Sequence, residues 1–304
     1  MSFLALRSAS FDPRLNLALE ETLLGAEGLR CPCLFLYVDD PCLVVGRNQN
    51  PWVEVSPSSE LQVLRRVSGG GTVYHDRGNL NWALIVPRSG HDPSAELARV
   101  AAALARLGLE SRAGERGGLY VELGPGEGRG KVSGTARRLE ASRVLHHGTL
   151  LVEADLGLLS ACLGGLRPAF SRGLPSVPAR PVNLAGLRPG LGVAEVAGAL
   201  FGEFCEGAAP RDAEAAASEL AGPRAVETAA RRLGSWDWTY GQTPPFSVRL
   251  EAPAGPLDLE LRSGCLAAVE GPGATSLDLT DLKSLLGSRF DYCLPERIAL
   301  LYKR

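Results

Sequence analysis

Hydrophobic residues recur every three or four positions in several stretches of the chain. That spacing puts them on one face of an α-helix, and it predicts helices at 15–24, after Pro93, at 155–163 and at 192–204. Pro93 suits the first turn of its helix, because the N–H that proline lacks would have no partner there. These segments are therefore expected to pack as amphipathic helices against a core.

Short apolar runs rich in valine, leucine and aromatic residues predict β-strands between these helices. The runs lie at 34–40, 42–47, 71–76, 80–87, 118–123 and 144–154. The first two are expected to pair as one hairpin and the next two as a second hairpin, because turn residues separate the members of each pair. Strands joined largely by hairpins, with helices laid against them, favour the α+β class over a doubly wound parallel sheet.

The composition changes at 206–223, where the chain becomes rich in alanine with small residues and proline near the ends of the stretch. A chain of 304 residues is longer than one core usually absorbs, so two domains are the first expectation. We predict a main domain over 1–215 and a small α+β domain over 222–304.

Composition and charge exclude several classes of protein. Hydrophobic residues make up 45% and charged residues 22% of the chain, which is ordinary for a globular protein. A net charge of -2 gives no basic field for nucleic acid or an anionic membrane, and no apolar run is long enough to span one. We expect a cytoplasmic protein that binds neither nucleic acid nor a membrane.

The seven cysteines are an odd number scattered through a long chain, which is not typical of a secreted disulfide framework. Reduced thiols are therefore expected. Cys31, Cys33 and Cys42 lie close enough in sequence to suggest zinc, but no fourth ligand follows nearby. Structural thiols are the favoured interpretation, and Cys162 is predicted to lie in the core.

Candidate chemistry begins at Ser68-Gly69-Gly70-Gly71. Glycines between strands let the backbone approach a ligand and offer N–H groups to an anion, although a plain tight turn has the same composition. Arg65 and Arg66 precede this tract, and a guanidinium beside exposed amides suits a phosphate or carboxylate. The combination favours an anion pocket, with His75 and Asp76 closing the stretch.

A second Gly-rich stretch, GPGEGRGK, ends at Lys131 and only superficially resembles a P-loop. Pro125 stands where the first glycine of GxxxxGK should be, and Val132 stands where the P-loop needs serine or threonine. A lysine that emerges from glycines at the start of a strand could hold a carboxylate and a phosphoryl oxygen in line. An ordinary surface lysine is the alternative.

Three of the four histidines fall in strand-like segments, among them His146 and His147. Adjacent residues of a strand point to opposite faces, so only one of the two can face a pocket, and a zinc pair is disfavoured. A core histidine is the competing interpretation. Nucleophilic catalysis is harder to support, because Ser68 lacks the GxSxG elbow.

Six motifs in order resemble the lipoate-protein ligase A family of the biotin/lipoate-protein ligase superfamily. The motifs are GRNQNPW (46–52), RRVSGGGTVYHDRGNLNW, GKVSGTARR, HHGTLLVEADL, PSVPARPVNL (175–184) and SWDWTYGQTPPFS. The last is similar to the opening of that family's C-terminal accessory domain. The resemblance thus covers nearly the whole chain.

The resemblance implies a catalytic domain related to that of biotin-protein ligases, with a mixed, largely antiparallel sheet flanked by helices, over 1–215. It also implies a two-step reaction in which lipoate and ATP with Mg²⁺ give lipoyl-AMP, and the lipoyl group then passes to a lysine. The implied partners are apo lipoyl domains of 2-oxoacid dehydrogenase E2 subunits and the glycine-cleavage H protein. No covalent enzyme intermediate and no protein metal site are expected.

Site residues are carried over from the resemblance position by position. Lys131 would be catalytic and contact both the lipoate carboxyl group and the α-phosphate. The lipoyl group would lie against Lys131 together with His75, Gly134 and His147. The ATP or adenylate would be held, besides Lys131, by Arg66, Ser68, Gly70, Gly71, Thr72, Val73, Tyr74, Ala136 and Arg180.

Two departures from the family pattern leave alternatives open. Gly117-Gly118 stands where the family commonly has Asn-Asp, and Pro178 and Pro181 interrupt the later loop, leaving Arg180 as its matching arginine. One alternative is a transferase that uses preformed lipoyl-AMP or octanoyl-carrier protein without its own adenylation. Another is a binding or salvage protein without turnover.

Overall fold

The computed structural model describes residues 3–114, 116–276 and 279–300. Its strands are β1 (Leu4–Arg7), β2 (Cys33–Tyr37), β3 (Cys42–Val45), β4 (Gln62–Arg65), β5 (Val73–His75), β6 (Asn79–Pro87), β7 (Arg112–Ala113), β8 (Leu119–Glu122), β9 (Arg129–Ser133), β10 (Thr135–Leu139), β11 (Arg143–Leu151), β12 (Phe170–Ser171), β13 (Arg211–Asp212), β14 (Phe246–Leu250), β15 (Leu257–Arg262) and β16 (Cys265–Glu270). Its α-helices are α1 (Pro13–Gly25), α2 (Pro51–Glu54), α3 (Pro93–Ala105), α4 (Leu156–Cys162), α5 (Leu184–Leu187), α6 (Val193–Cys205), α7 (Ala213–Ala221), α8 (Ala225–Leu233), α9 (Trp236–Thr239), α10 (Leu279–Leu285) and α11 (Leu294–Leu300).

The centre of the molecule is a six-stranded mixed sheet in the order β10-β11-β6-β2-β1-β13. Strands β6 and β11 run antiparallel over nine residues each, and nearly every side chain of β6 is buried. Because side chains alternate along a strand, Trp82 and Leu84 join the core on one face while Ala83 and Ile85 join the core on the other. The sheet is therefore covered on both faces, which confirms the α+β class with flanking helices.

Different helices cover the two faces. Helices α3 and α6 pack together on the face of Trp82, and α1, α7 and α8 cover the opposite face. Asp92 caps α3 by accepting hydrogen bonds from the first-turn amides, and Pro93 occupies the first turn as expected. The stretch at 206–223 contains α7, which packs on α1.

The prediction that these four strands form two hairpins is wrong. Strand β2 pairs antiparallel with β6 in the large sheet, and β3 pairs antiparallel with β5 and parallel with β4 in a separate three-stranded sheet. The links at Asp40-Pro41 and at Arg77-Gly78 are thus crossovers between sheets. Gly78 makes the second crossover possible, because a Cβ there would lie 2.0 Å from the carbonyl oxygen of Glu153.

The C-terminal part contains an antiparallel sheet in the order β12-β14-β15-β16 with its own apolar cluster. Strand β12 comes from an earlier part of the chain, and Trp52 of α2 packs against Phe246 and Phe290 within this cluster. The division into domains at 1–215 and 222–304 stays a prediction.

The cysteines agree with the interpretation as structural thiols. All seven are free, and Cys33 and Cys42, which lie in different sheets, are buried while Cys31 is exposed. Burial raises the pKa of Cys33 to about 12, so its thiol is neutral. Within the described part of the chain, no helix combines the length and the apolar character that crossing a membrane requires.

Candidate active site

A cavity of about 420 Å³ opens between the Gly-rich loop, the start of β10, the later half of β11 and the segment 174–177. Most of the residues carried over from the family resemblance line it. These are Arg66, Gly70, Gly71, Thr72, Val73, His75, Lys131, Gly134, Ala136 and His147. Ser68, Tyr74 and Arg180 lie outside the lining, and Leu17, Tyr37, Val44 and Val177 supply apolar surface.

The Gly-rich loop is folded around the guanidinium of Arg66. Its Nε donates to Ser68 Oγ, Nη1 to the carbonyl of Val44, and Nη2 to the carbonyls of Gly69 and Gly71 at 2.7 Å each. Gly70 has φ +88°, which favours glycine. Burial lowers the pKa of Arg66 to about 10, so the side chain is cationic at neutral pH.

Arg65 does not belong to the anion pocket, which corrects the expectation that both arginines serve it. Its side chain is fully buried and donates to the carbonyls of Gly46, Arg47, Gln49, Trp238 and Thr239 and to Thr243 Oγ1. In return, Trp238 Nε1 donates to the carbonyl of Arg65. Arg65 therefore ties α9 to the loop after β3. Neighbouring residues of a strand point to opposite sides, which separates the two arginines.

Lys131 lies in β9 and faces the cavity half-buried. Its N–H donates to the carbonyl of Arg180 at 2.7 Å, and its carbonyl accepts from the N–H of Val182 at 3.0 Å. These bonds fix the backbone on both sides of the lysine. Its ammonium has no hydrogen-bond or ion-pair partner among the described residues, and burial lowers its pKa. A cation of this kind is a ready partner for an anionic ligand.

The loop before β8 lies directly against this lysine. Gly117 has φ +75°, and its carbonyl accepts a 2.6 Å hydrogen bond from Thr135 Oγ1. A Cβ at Gly118 would lie 2.7 Å from the carbonyl oxygen of Ser133 and 3.0 Å from Cε of Lys131. The side chain of Lys131 thus occupies the space that a larger residue at 118 would need.

A chain of buried polar groups runs from Glu20 to Arg66. Tyr37 Oη donates to Glu20, and Nδ1 of His147 lies 2.8 Å from Glu20 Oε2. Nε2 of His147 lies 2.6 Å from Ser68 Oγ, which also accepts from Arg66. A carboxylate can only accept, so His147 carries a proton on Nδ1, and in the neutral ring Nε2 then accepts the Ser68 hydroxyl. Glu20 was missed in the sequence, since it sits inside an amphipathic helix.

A second buried cluster surrounds His75. Its Nδ1 lies 2.7 Å from Asp39 Oδ2, and Asn16 Nδ2 donates to Asp39 Oδ1 at 2.7 Å. Possible ligand atoms of Asp39, Cys42 and His75 lie within 4.8 Å of one another. Both oxygens of Asp39 accept hydrogen bonds, and burial raises the pKa of Cys42 well above its ordinary value, so hydrogen bonds hold this cluster together. Its role is to orient His75 at the cavity.

His146 points away from the cavity, as alternation along a strand requires. Its Nδ1 lies 2.7 Å from Glu96 Oε2, and the other oxygen of Glu96 lies 2.9 Å from His91 Nδ1. The ring of His146 also packs edge-on against Trp82. The expectation that only one histidine of the pair faces the pocket is confirmed.

Hydrogen bonds of Ser176 connect the segment 174–177 to the end of the Gly-rich loop. Its Oγ accepts from the N–H of Thr72 at 2.9 Å and from Gln49 Nε2 at 3.0 Å, and it donates to Glu54. The N–H of Ser176 donates to the other oxygen of Glu54 at 3.1 Å. Gln49 and Glu54 were also missed, although both lie in or beside the stretch GRNQNPW.

The remaining carried-over residues have other surroundings. Tyr74 is buried in an apolar cluster with Leu43 and Cys162, which confirms Cys162 as a core residue. Arg180 meets Lys131 only through its backbone, while its exposed guanidinium donates to the carbonyl of Glu127 at 2.8 Å. Asp76, which was not among the carried-over residues, accepts from the N–H of Asp155 at 2.7 Å and so fixes the start of α4.

Several solved structures with a similar fold are those of lipoate ligases. The structure of P. falciparum LipL1 in complex with lipoate matches at TM-score 0.69 and 23% identity, over 99% of this chain and 94% of that one. Lipoate-protein ligase A bound with ATP matches at TM-score 0.59 and 25% identity, over 78% of this chain and 98% of that one. The bipartite lipoate protein ligase of Thermoplasma acidophilum, studied with its E2 lipoyl domain, matches at TM-score 0.61 and 23% identity, over 79% of this chain and 96% of that one.

Fold and site together define an enzyme of the lipoate-ligase type. The model of the lipoyl protein ligase A/B catalytic domain matches residues 12–205, a stretch that contains the Gly-rich loop, Lys131 and His147. The chain belongs to this family. The resemblance seen in the motifs is confirmed, while the roles of individual site residues stay predictions.

Proposed function

We propose that the protein is a lipoate-protein ligase that activates lipoate with ATP and transfers the lipoyl group to a lysine of a lipoyl domain. The observation that carries the proposal is the ammonium of Lys131. It is half-buried, faces the cavity beside the Gly-rich loop and has no anionic partner among the described residues. Burying an unpaired charge is unfavourable, so its retention is explained by a ligand that brings negative charge.

Lys131 would act in both steps by stabilising charge. In the first step, a lipoate carboxylate oxygen attacks the α-phosphorus of ATP and pyrophosphate leaves. In the second, the amine of the acceptor lysine attacks the acyl carbonyl and AMP leaves. Negative charge develops on oxygens next to Lys131 in each step, and a donor aimed at such charge contributes about 3 kcal/mol in well-studied enzymes.

The cavity lining combines charged and apolar side chains, as this chemistry requires. Arg66, Arg116 and Lys131 supply positive charge, and Leu17, Tyr37, Val44 and Val73 supply apolar surface suited to an acyl chain. Its volume of about 420 Å³ is in the ordinary range of small-molecule sites. His75 and His147 face the same space, each held by a buried carboxylate.

Arg66 would act on the adenylate mainly by its charge and by shaping residues 70–74. For Mg²⁺, the described lining offers no carboxylate, and Glu54, which lies behind Thr72, is engaged with Ser176. Magnesium is commonly held by substrate phosphates and water. The described residues therefore fit a metal that arrives with ATP rather than one resident in the protein.

Known structures support the choice of substrates and partner. LipL1 is in complex with lipoate, lipoate-protein ligase A is bound with ATP, and the T. acidophilum ligase was analysed with its E2 lipoyl domain. We extend these to this chain, with apo lipoyl domains of 2-oxoacid dehydrogenase E2 subunits and the glycine-cleavage H protein as acceptors. A cytoplasmic location accords with seven free thiols.

The test is a two-readout assay with ATP, Mg²⁺, lipoate or octanoate, and an apo lipoyl domain. Pyrophosphate release reports activation, and the mass of the acceptor reports transfer. We expect both from the wild-type protein and neither from Lys131→Met, which keeps the length of the side chain. Acceptor modification only when acyl-AMP is supplied, without pyrophosphate release from ATP, would reject the activation half.

A further inference from the structure

Three cations line the cavity: Arg66, Arg116 and Lys131. Among the described residues, no acidic side chain lines it with them. A phosphate-bearing ligand would therefore meet positive charge on several sides. An N–H group that already donates to a protein oxygen is not free to bind the ligand. The protein partners of each cation therefore decide which cation can bind it.

Arg66 has few donors to offer. A guanidinium carries five N–H groups, and four hydrogen bonds from Arg66 already end on protein oxygens of Ser68, Val44, Gly69 and Gly71. At most one N–H is left for a ligand. Two-point binding of a phosphate needs two parallel N–H groups, so Arg66 cannot supply it without releasing the Gly-rich loop.

The guanidinium N–H groups of Arg116, by contrast, are free within the described part of the chain. Its side chain is exposed and lines the cavity, and it has no hydrogen-bond or ion-pair partner among the described residues. The backbone beside it is fixed, because Thr135 Oγ1 donates to the carbonyl of Gly117 at 2.6 Å and the N–H of Gly114 donates to the carbonyl of Gly118 at 2.8 Å. A free guanidinium on an anchored loop thus stands at the edge of the cavity that holds Lys131.

We propose that Arg116 binds the phosphate oxygens of the nucleotide. Its guanidinium fork is free for that contact, whereas the guanidinium of Arg66 shapes the Gly-rich loop. The proposal rests on the proposed function, because it assumes that a nucleotide enters this cavity. Lys131 is a single point of charge, whereas the planar fork of Arg116 matches two phosphate oxygens at once. Arg116 is therefore assigned as a nucleotide-binding residue that the sequence motifs did not indicate.

The test compares Arg116→Gln and Arg116→Lys with a matched control, Arg137→Gln. Arg137 is exposed on β10, whose first residues line the cavity, but Arg137 itself does not line it and has no partner among the described residues. The control thus removes the same charge near the site without removing the proposed contact. Initial rates of pyrophosphate release give kcat and the KM for ATP and for lipoate.

We expect Arg116→Gln to raise the KM for ATP about ten- to a hundredfold, the usual effect of losing hydrogen bonds to a charged group, with the KM for lipoate unchanged. Arg116→Lys should recover part of the loss, and Arg137→Gln should match the wild type. An unchanged KM for ATP in Arg116→Gln, or equal rises for ATP and lipoate, would overturn the assignment. If the wild type releases no pyrophosphate, the proposed function itself fails, which is a different result.

Discussion

Nδ1 of His147 lies 2.8 Å from a carboxylate oxygen of Glu20, and this contact fixes the direction of a buried chain of hydrogen bonds. With its proton on Nδ1, His147 accepts from Ser68, and Ser68 accepts from Arg66 at 3.1 Å. A residue in the first helix is thereby linked, through His147 and Ser68, to the guanidinium around which the Gly-rich loop folds.

Replacing Glu20 should therefore damage both stability and the site. Glu20→Ala leaves Tyr37 Oη and His147 Nδ1 without an acceptor, and each unsatisfied buried donor costs about 1–3 kcal/mol. Glu20→Gln keeps one acceptor oxygen but buries an amide group, so we expect a smaller loss. Urea unfolding and lipoyl transfer rates measure the two effects. Tyr37→Phe, which removes only one donor, is the control. If the Glu20→Ala protein were as stable as the Tyr37→Phe protein, the hydrogen bonds from Glu20 to Arg66 would not have the stabilising role stated here.

Arg65 gives a prediction of stability rather than of catalysis. Arg65→Leu removes a buried guanidinium and leaves the carbonyls of Arg47, Gln49 and Thr239 without their donor. We expect a loss of at least about 3 kcal/mol, because three carbonyls lose their donor and each unsatisfied buried group costs about 1–3 kcal/mol. Urea unfolding of Arg65→Leu beside the exposed Arg137→Leu measures it. The prediction fails if the two variants unfold at the same urea concentration.

The Gly-rich loop and Arg65 show what the sequence could and could not predict. The motifs indicated the Gly-rich loop, Lys131 and the opposite orientations of His146 and His147, because local spacing and alternation determine them. The partners of Arg65 lie up to 178 positions away, at Thr243, and no local pattern announces such contacts. Likewise β2 and β3 are apolar on both faces, so alternation could not show that they belong to different sheets.

Ser176 should control how firmly the segment 174–177 lies on the Gly-rich loop. Ser176→Ala removes the acceptor of the Thr72 N–H and the hydroxyl that donates to Glu54. We expect a stability loss of about 1–3 kcal/mol and faster amide hydrogen exchange at Thr72, Leu174, Ser176 and Val177. Ser94→Ala on the exposed face of α3 is the control. Unchanged exchange at Thr72 would show that Ser176 does not hold the segment.

The depressed pKa of Lys131 predicts a pH dependence of stability. Burial lowers its folded pKa below the ordinary lysine value of 10.5, so between the two values the unfolded chain binds a proton that the folded chain does not. The free energy of unfolding of the unliganded protein therefore gains a contribution as pH rises through that window, and below it the buried ammonium is a constant cost. Lys131→Met removes this contribution and should be at least as stable as the wild type at neutral pH. Urea unfolding of both proteins across alkaline pH measures the difference, and parallel curves would contradict it.

Gly118 provides the sharpest test of how the site is built, because its missing side chain leaves room for Lys131. A Cβ at 118 would lie 3.0 Å from Cε of Lys131 and 2.7 Å from the carbonyl oxygen of Ser133, and the backbone carbonyl cannot easily give way. We expect Gly118→Ala to displace the lysine and to lower kcat for pyrophosphate release about ten- to a hundredfold, as small misplacements of a catalytic group do. Gly118→Asp should be worse, because its carboxylate would also pair with the ammonium and remove the free charge. Gly90→Ala, where a Cβ meets nothing within 4 Å, is the matched control. A Gly118→Asp protein that activates lipoate faster than the wild type would show instead that the site lacks a carboxylate which it could use.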